Sequence, residues 1–266
     1  MQLFQVDAFT STLFSGNPAA VVPLESWLPD ATLQAIAAEN NLSETAYLVP
    51  AGPASWELRW FTPAAEVPLC GHATLASAHV LFEILGAQAP ALTFHTRWSG
   101  DLVVERDGAR LAMRLPRRRT MPVDQADVAA SVLGLRPRET FVVPVQDDET
   151  LLAVFASEAE VRDLTPDLAA MRRIDARGVL VTAPGTQADF VSRYFAPKYG
   201  IDEDPVTGSA HCALVPFWAE RLNKTDFIAR QLSKRGGELH CRLEEDRVVV
   251  AGRAVLYLSG EIHLPS

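Results

Sequence analysis

The chain has 266 residues, 48% of them apolar and 21% charged, and a net charge of −9. The length supplies a large core, near the size at which one core splits into two, and the acidic balance excludes a nucleic-acid backbone as partner, because that needs a basic face. No apolar run reaches the roughly 18 residues of a membrane span, no basic leader precedes the first strand, and Cys70, Cys212 and Cys241 form no C-x-x-C pair, so a reduced, cytoplasmic setting is expected.

Residues 2–10 alternate as a strand. Ser15-Gly16-Asn17-Pro18 is a turn, and residues 19–22 make a second short strand. From Pro29 to Asn40, Leu33, Ile36 and Ala37 fall on one helical face, with Asn40-Asn41 as the stop. Strands follow over residues 45–49 and 56–61. Val67 to Leu85 is a tight turn that opens into a helix at Gly71-His72-Ala73-Thr74. Ala73, Ala76, Val80, Leu81, Ile84 and Leu85 make that helix apolar nearly all round, the mark of a buried helix, and Gly86 ends it. Residues 92–97 read as a strand. Residues 102–115 read as a hairpin turning at Asp107-Gly108. Pro116 to Asp124, with Arg117-Arg118-Arg119, reads as a solvated crossing between domains. Beyond it come a helix over 126–133, strands over 140–144 and 151–155, a helix over 167–173, and strands over 178–184 and 190–195. A polar loop, Gly200 to Thr207, leads into a helix from Gly208 to about Leu222, kinked at Pro216 and stopped by Asn223. Strands over 239–243 and 247–258 complete the chain.

The two halves repeat. Pro184 lies 134 positions after Pro50, and the same offset relates Arg193 to Arg59, Phe195 to Phe61 and Pro197 to Pro63. After a three-residue insertion the offset becomes 137, relating Gly208 to Gly71, Ala210 to Ala73, Ala213 to Ala76 and Gly237 to Gly100. The chain therefore reads as two copies of one α+β unit, each with a buried helix whose N-terminal amides and dipole suit an anion. Two such units about a pseudo-two-fold axis are expected to aim both helix starts at one cleft. The copies differ in their titratable groups. Glu44 corresponds to Gly178, His72 to Ser209, and the longer second loop carries Asp204.

Each of these residues has a plain structural reading beside a chemical one. Glu44 is a solvated loop carboxylate or a proton carrier. His72 is a satisfied ring near the core or a group that orients substrate. Asp204 before Pro205 is a helix N-cap or a cleft carboxylate, and Ser209 a cap or a cleft hydroxyl. Cys70 is a small buried hydrophobe or a thiolate of a racemase. The register offers no second cysteine across the repeat, which disfavours the thiolate. His79 and His211 read as packing. Cys70-x-His72 and His211-Cys212 lack zinc spacing, so no metal site is expected, and there is no phosphate-binding or hydrolase motif.

Gln5-Val-Asp-Ala-Phe-Thr, Gly16-Asn-Pro-Ala, Asn41-Leu-Ser-Glu-Thr, Arg59-Trp-Phe-Thr-Pro, Pro68-Leu-Cys-Gly-His-Ala-Thr and Asp204-Pro-Val-Thr-Gly-Ser-Ala, in order over residues 5 to 210, together resemble the PhzF-like phenazine-biosynthesis family. Its relatives in fold are diaminopimelate epimerase and proline racemase. The resemblance implies two diaminopimelate-epimerase-like domains, each a curled, mostly antiparallel sheet around a central helix. They would cover residues 1–116 and 117–256, with the last strand, about 257–266, able to cross back to the first. It implies a cofactor-free isomerase, usually a homodimer, that moves a proton within a small anionic metabolite such as trans-2,3-dihydro-3-hydroxyanthranilate. By motif, Glu44 matches the acid/base. His72, Asp204 and Ser209 match the groups that bind and polarise substrate, and Asn17, Ser43, Gly71 and Gly208 match positions lining the pocket. Two alternatives stay open: a cysteine-dependent racemase or epimerase, and a non-catalytic metabolite-binding or interaction protein on the same fold.

Overall fold

The structure is a computed structural model describing residues 1–145 and 148–264. The chain forms two compact units, Met1–Arg114 with Ala251–Ser266, and Leu115–Val250. Among the described residues no helix is long and apolar enough to cross a membrane.

The first unit is a mixed sheet with helices on both faces. Gln2–Ala8 pairs antiparallel with Asn17–Pro23, which runs parallel to Glu44–Gly52. That strand turns back as Ser55–Phe61, which runs parallel to Ala91–Thr96. Asp101–Asp107 and Arg110–Pro116 form the hairpin expected near Asp107-Gly108. Asp107 pairs with Arg110, so the two turn residues are Gly108 and Ala109, one position later than expected. Gly108 takes φ +59°, the left-handed value that the first position of a II′ turn needs. The stretch expected as one strand over 247–258 is broken at Gly252-Arg253. Arg247–Gly252 ends there, and Ala254–Glu261 pairs antiparallel with Gln2–Ala8. Residues 265–266 of the expected last strand lie outside the described residues.

Alternation decides which side chains meet which helix. Thr45, Tyr47 and Val49 point to the side covered by the helix Asp30–Asn40. Tyr47 Oη donates to the Leu33 carbonyl at 2.7 Å, and Leu33, Ile36, Ala37, Val22 and Phe61 form the core there. Glu44, Ala46 and Leu48 therefore point to the other side, towards the helix Gly71–His79. This second helix is buried from Gly71 to Ala78, as its all-apolar circumference required. It widens to a π-turn over Val80–Ile84 and stops at Gly86, φ +73°.

The second unit repeats the plan. Glu139–Val145 pairs with Asp148–Val154, which runs parallel to Gly178–Pro184. That strand pairs antiparallel with Phe190–Ala196, which runs parallel to Asp226–Gln231. Ala126–Leu133, Glu158–Arg162 and Leu168–Met171 cover one face with Leu133, Phe155, Val161, Val179 and Phe195. His211–Leu222, opened by a 3-10 turn at Gly208–Ala210, covers the other, where Trp218 Nε1 donates to Thr182 Oγ1 at 2.9 Å. Pro216 lies inside this helix and Asn223, φ 49°, ends it. The loop expected over 200–207 contains a short strand, Ile201–Asp204, antiparallel to Phe190–Ala196.

Candidate active site

Glu44 is the first residue of its strand. Asn41 ends the preceding helix in the left-handed region (φ 50°), with its N–H on the Ala37 carbonyl, and Asn40 Nδ2 donates to Thr45 Oγ1 at 3.1 Å. These contacts fix where the strand begins, and alternation turns Glu44 inward. Its carboxylate, 11% exposed, meets the start of the buried helix, where Glu44 Oε2 stands 3.2 Å from His72 Nε2. The contact lies off the hydrogen-bonding angle, so neither atom has an aligned partner among the described residues. On the other side of the ring, Asn17 Nδ2 stands 3.1 Å and Cys70 Sγ 3.4 Å from His72 Nδ1. Asn17 is delivered by Gly16. That glycine takes φ +68°, and any Cβ there would meet the Ala8 carbonyl oxygen at 2.2 Å.

The electrostatics of this cluster follow from burial. Burial opposes charge on His72, but the Glu44 carboxylate beside Nε2 favours it, and the ring is held above the ordinary imidazole range. Burial, then the Glu44 charge, pushes the Cys70 thiol up to about 11, so it is no thiolate near neutral pH. Donor atoms of Glu44, Cys70 and His72 lie within 4.8 Å of one another, a grouping that the Cys70-x-His72 spacing could not reveal because Glu44 comes from another strand. Sulfur and carboxylate sit against different ring nitrogens, so the three read as an interaction cluster around the imidazole. Ser43 is half-buried beside Glu44, and Gly71 is buried at the helix start.

Asp204 and Ser209 lie in the second unit. Asp204 is not the N-cap its Asp-Pro pair suggested: it ends the strand Ile201–Asp204, and the helical turn begins only at Gly208. Its carboxylate accepts from Thr207 Oγ1. Gln231, 1% exposed, clamps this loop: its Oε1 accepts from Thr207 N at 2.8 Å, and its Nε2 donates to Thr207 Oγ1 at 3.1 Å and to the Asp204 carbonyl at 2.7 Å. Sequence reasoning missed Gln231, which has no motif and sits in a strand it did not find. Ser209 is half-buried within the turn Gly208–Ala210, and Gly208 is buried. His211 is fully buried, as expected of a packing residue. Its Nδ1 meets the Thr207 carbonyl at 3.0 Å, and burial drives its pKa down to about 4.

The family model described as phenazine biosynthesis-like protein, PhzC-PhzF, matches residues 6–260. The chain belongs to the PhzC-PhzF family. An uncharacterized isomerase of Pseudomonas aeruginosa is 52% identical over 264 residues, with 99% of each chain covered. The crystal structure of a PhzF-family protein from Enterococcus faecalis superposes with a TM-score of 0.93 at 44% identity, covering 99% of each chain. A probable proline racemase of Agrobacterium radiobacter, at 11% identity, shares the fold alone, with a TM-score of 0.64 over 99% of this chain and 93% of that one. The PhzC-PhzF match and these structures agree with the α+β class expected from the repeat and with the diaminopimelate-epimerase-like architecture that the family resemblance implied.

Proposed function

We propose that the protein is a cofactor-independent isomerase that moves a proton within a small anionic substrate, with Glu44 as the acid/base. The observation that carries this reading is the buried Glu44–His72 pair, 3.2 Å apart at the start of a buried helix. A raised imidazole pKa suits a cation facing the carboxylate, so Glu44 starts as the base. It takes a proton from one substrate carbon and holds it as a carboxylic acid. It then returns that proton to another carbon while His72 stabilises the charge that develops. The first amides of the helix, at Gly71 and His72, have no partner within the helix and suit the substrate's carboxylate. Asn17 and Ser43 are lining positions beside Glu44, and in the second unit Asp204, Ser209 and Gly208 are the positions that the family motif matches to substrate contacts. The family membership and the name of the Pseudomonas aeruginosa relative support an isomerase. The high thiol pKa of Cys70 weighs against a thiolate racemase.

The test offers trans-2,3-dihydro-3-hydroxyanthranilate to wild type and to Glu44→Gln and follows ultraviolet absorbance. The expected result is turnover by wild type and a loss of about a hundredfold or more in the variant. A variant that keeps more than about a tenth of the rate removes Glu44 from the chemistry.

A further inference from the structure

Trp60 is 1% exposed, and its indole N–H has no hydrogen-bond partner among the described residues. Buried donors are paired in the great majority of cases, because an unpaired one carries the whole cost of leaving water. A sequence that keeps one has a use for it or a strain to hide.

Its place in the sheet points to the use. Trp60 pairs with Ala46 across the antiparallel ladder, so its ring stands on the same face as Ala46 and Glu44. Glu44 is its diagonal neighbour there, a separation that aromatic side chains span, and Ala46 is small enough to leave the path open. The second unit shows where a ring at this position ends. Tyr194, 134 positions on, pairs with Leu180 just as Trp60 pairs with Ala46. Its hydroxyl lies 3.0 Å from the point where a Cβ on Gly178, the counterpart of Glu44, would stand. The two rings differ in one respect. The Tyr194 hydroxyl has the polar side chains of Thr150 and Arg177 beside it, whereas the Trp60 N–H is unmatched among the described residues. Glu44 Oε2 and His72 Nε2, on the same face, also lack an aligned partner among the described residues.

We infer that the Trp60 indole N–H is a substrate-binding donor that holds an anionic oxygen of the substrate, a carboxylate or enolate oxygen, beside Glu44. This rests on the isomerase reading above and adds to it a group that fixes which substrate atom faces the base. An indole donates and never accepts, so the recognised atom is an oxygen acceptor rather than a hydroxyl or amine proton.

The test replaces Trp60 with β-(3-benzothienyl)alanine, which keeps the ring outline and exchanges the N–H for sulfur, with Trp60→Phe as a second variant. The probe is 3-hydroxyanthranilate, a stable aromatic hydroxy amino acid, titrated by calorimetry. The isostere is expected to bind about tenfold more weakly than wild type, the worth of one hydrogen bond to a charged acceptor, while its melting temperature holds or rises. In wild type, the indole proton resonance absent from Trp60→Phe spectra is expected to move downfield on adding probe, a readout that needs no variant to fold well. An isostere that binds as tightly as wild type, or an unmoved resonance in saturated protein, overturns this inference and leaves the Glu44 mechanism standing. Wild type that neither binds the probe nor turns over the dihydro compound overturns both.

Discussion

Cys70 shows how two features of one environment pull a residue in opposite directions. At the start of a helix, next to a histidine, a cysteine has the neighbours of an activated nucleophile. Burial and the Glu44 charge act the other way and push the thiol to about 11. Cys70→Ala is therefore expected to keep turnover and solvent-deuterium exchange of the substrate within about threefold of wild type, whereas a thiolate mechanism would lose about a hundredfold or more. An exchange assay in heavy water reads the difference. The motifs made Glu44, His72 and Asn17 visible in the sequence, because each sits in a short run with its own turn chemistry. Gln231 was invisible, because a glutamine reads as surface until a buried loop is seen to need its amide.

At the scale of elements, the repeated Arg-x-Phe-x-Pro is a packing device. Arg59 binds Glu66 through Nε and Nη2 at 2.7 and 2.6 Å, and Arg193 binds Glu203 through the same two nitrogens at 2.7 and 3.1 Å. Each guanidinium also lies over the phenylalanine two residues on, at 5.1 Å and 4.9 Å. Glu66 and Glu203 are themselves 137 apart, so the offset that revealed the repeat also held the partner. Arg193→Met is expected to cost about 2–3 kcal/mol in urea unfolding, below a fully buried pair because Glu203 keeps some water. Arg193→Lys is expected to recover little, since a point charge cannot make the two-nitrogen contact. Elements that followed simple periodicity were legible, including Ala126–Leu133 and Gly178–Pro184. Asp226–Gln231 was not, because its alternation is inverted: Ile228 is exposed while Gln231 is buried. Glu158–Arg162 was not legible either: it is only five residues long, too short for a helical period to show, and its cap, Ser157 Oγ accepting from Glu160 N at 3.2 Å, is seen only in the structure.

For the whole molecule, stability in acid turns on His211. In the folded chain its ring stays neutral down to about pH 4, while in the unfolded chain it takes a proton near 6.5. The unfolded state thus binds one more proton between these limits. Stability is present above pH 6.5 and falls by about 3 kcal/mol as the pH drops to 4. His72 has the opposite sign: its raised pKa contributes below the unfolded value and is lost as pH rises through the folded one. Urea titrations of wild type and His211→Gln at pH 7, 5.5 and 4.5 are expected to converge as the pH falls, the difference isolating one proton. The fold class was legible at this scale because duplication makes every weak signal count twice.

Gly178 limits how alike the two halves of the repeat can become. A Cβ there would meet the Phe195 carbonyl oxygen at 2.5 Å as well as the Tyr194 hydroxyl, so a carboxylate matching Glu44 in the repeat cannot be installed at this position by one substitution. Gly178→Ala alone is expected to destabilise by about 1–3 kcal/mol, as overpacking against backbone does. The repeat therefore has a carboxylate at this position only in Glu44, and under the mechanism proposed for it the same carboxyl removes and returns the proton, so product formed in heavy water carries its label on the face the proton left.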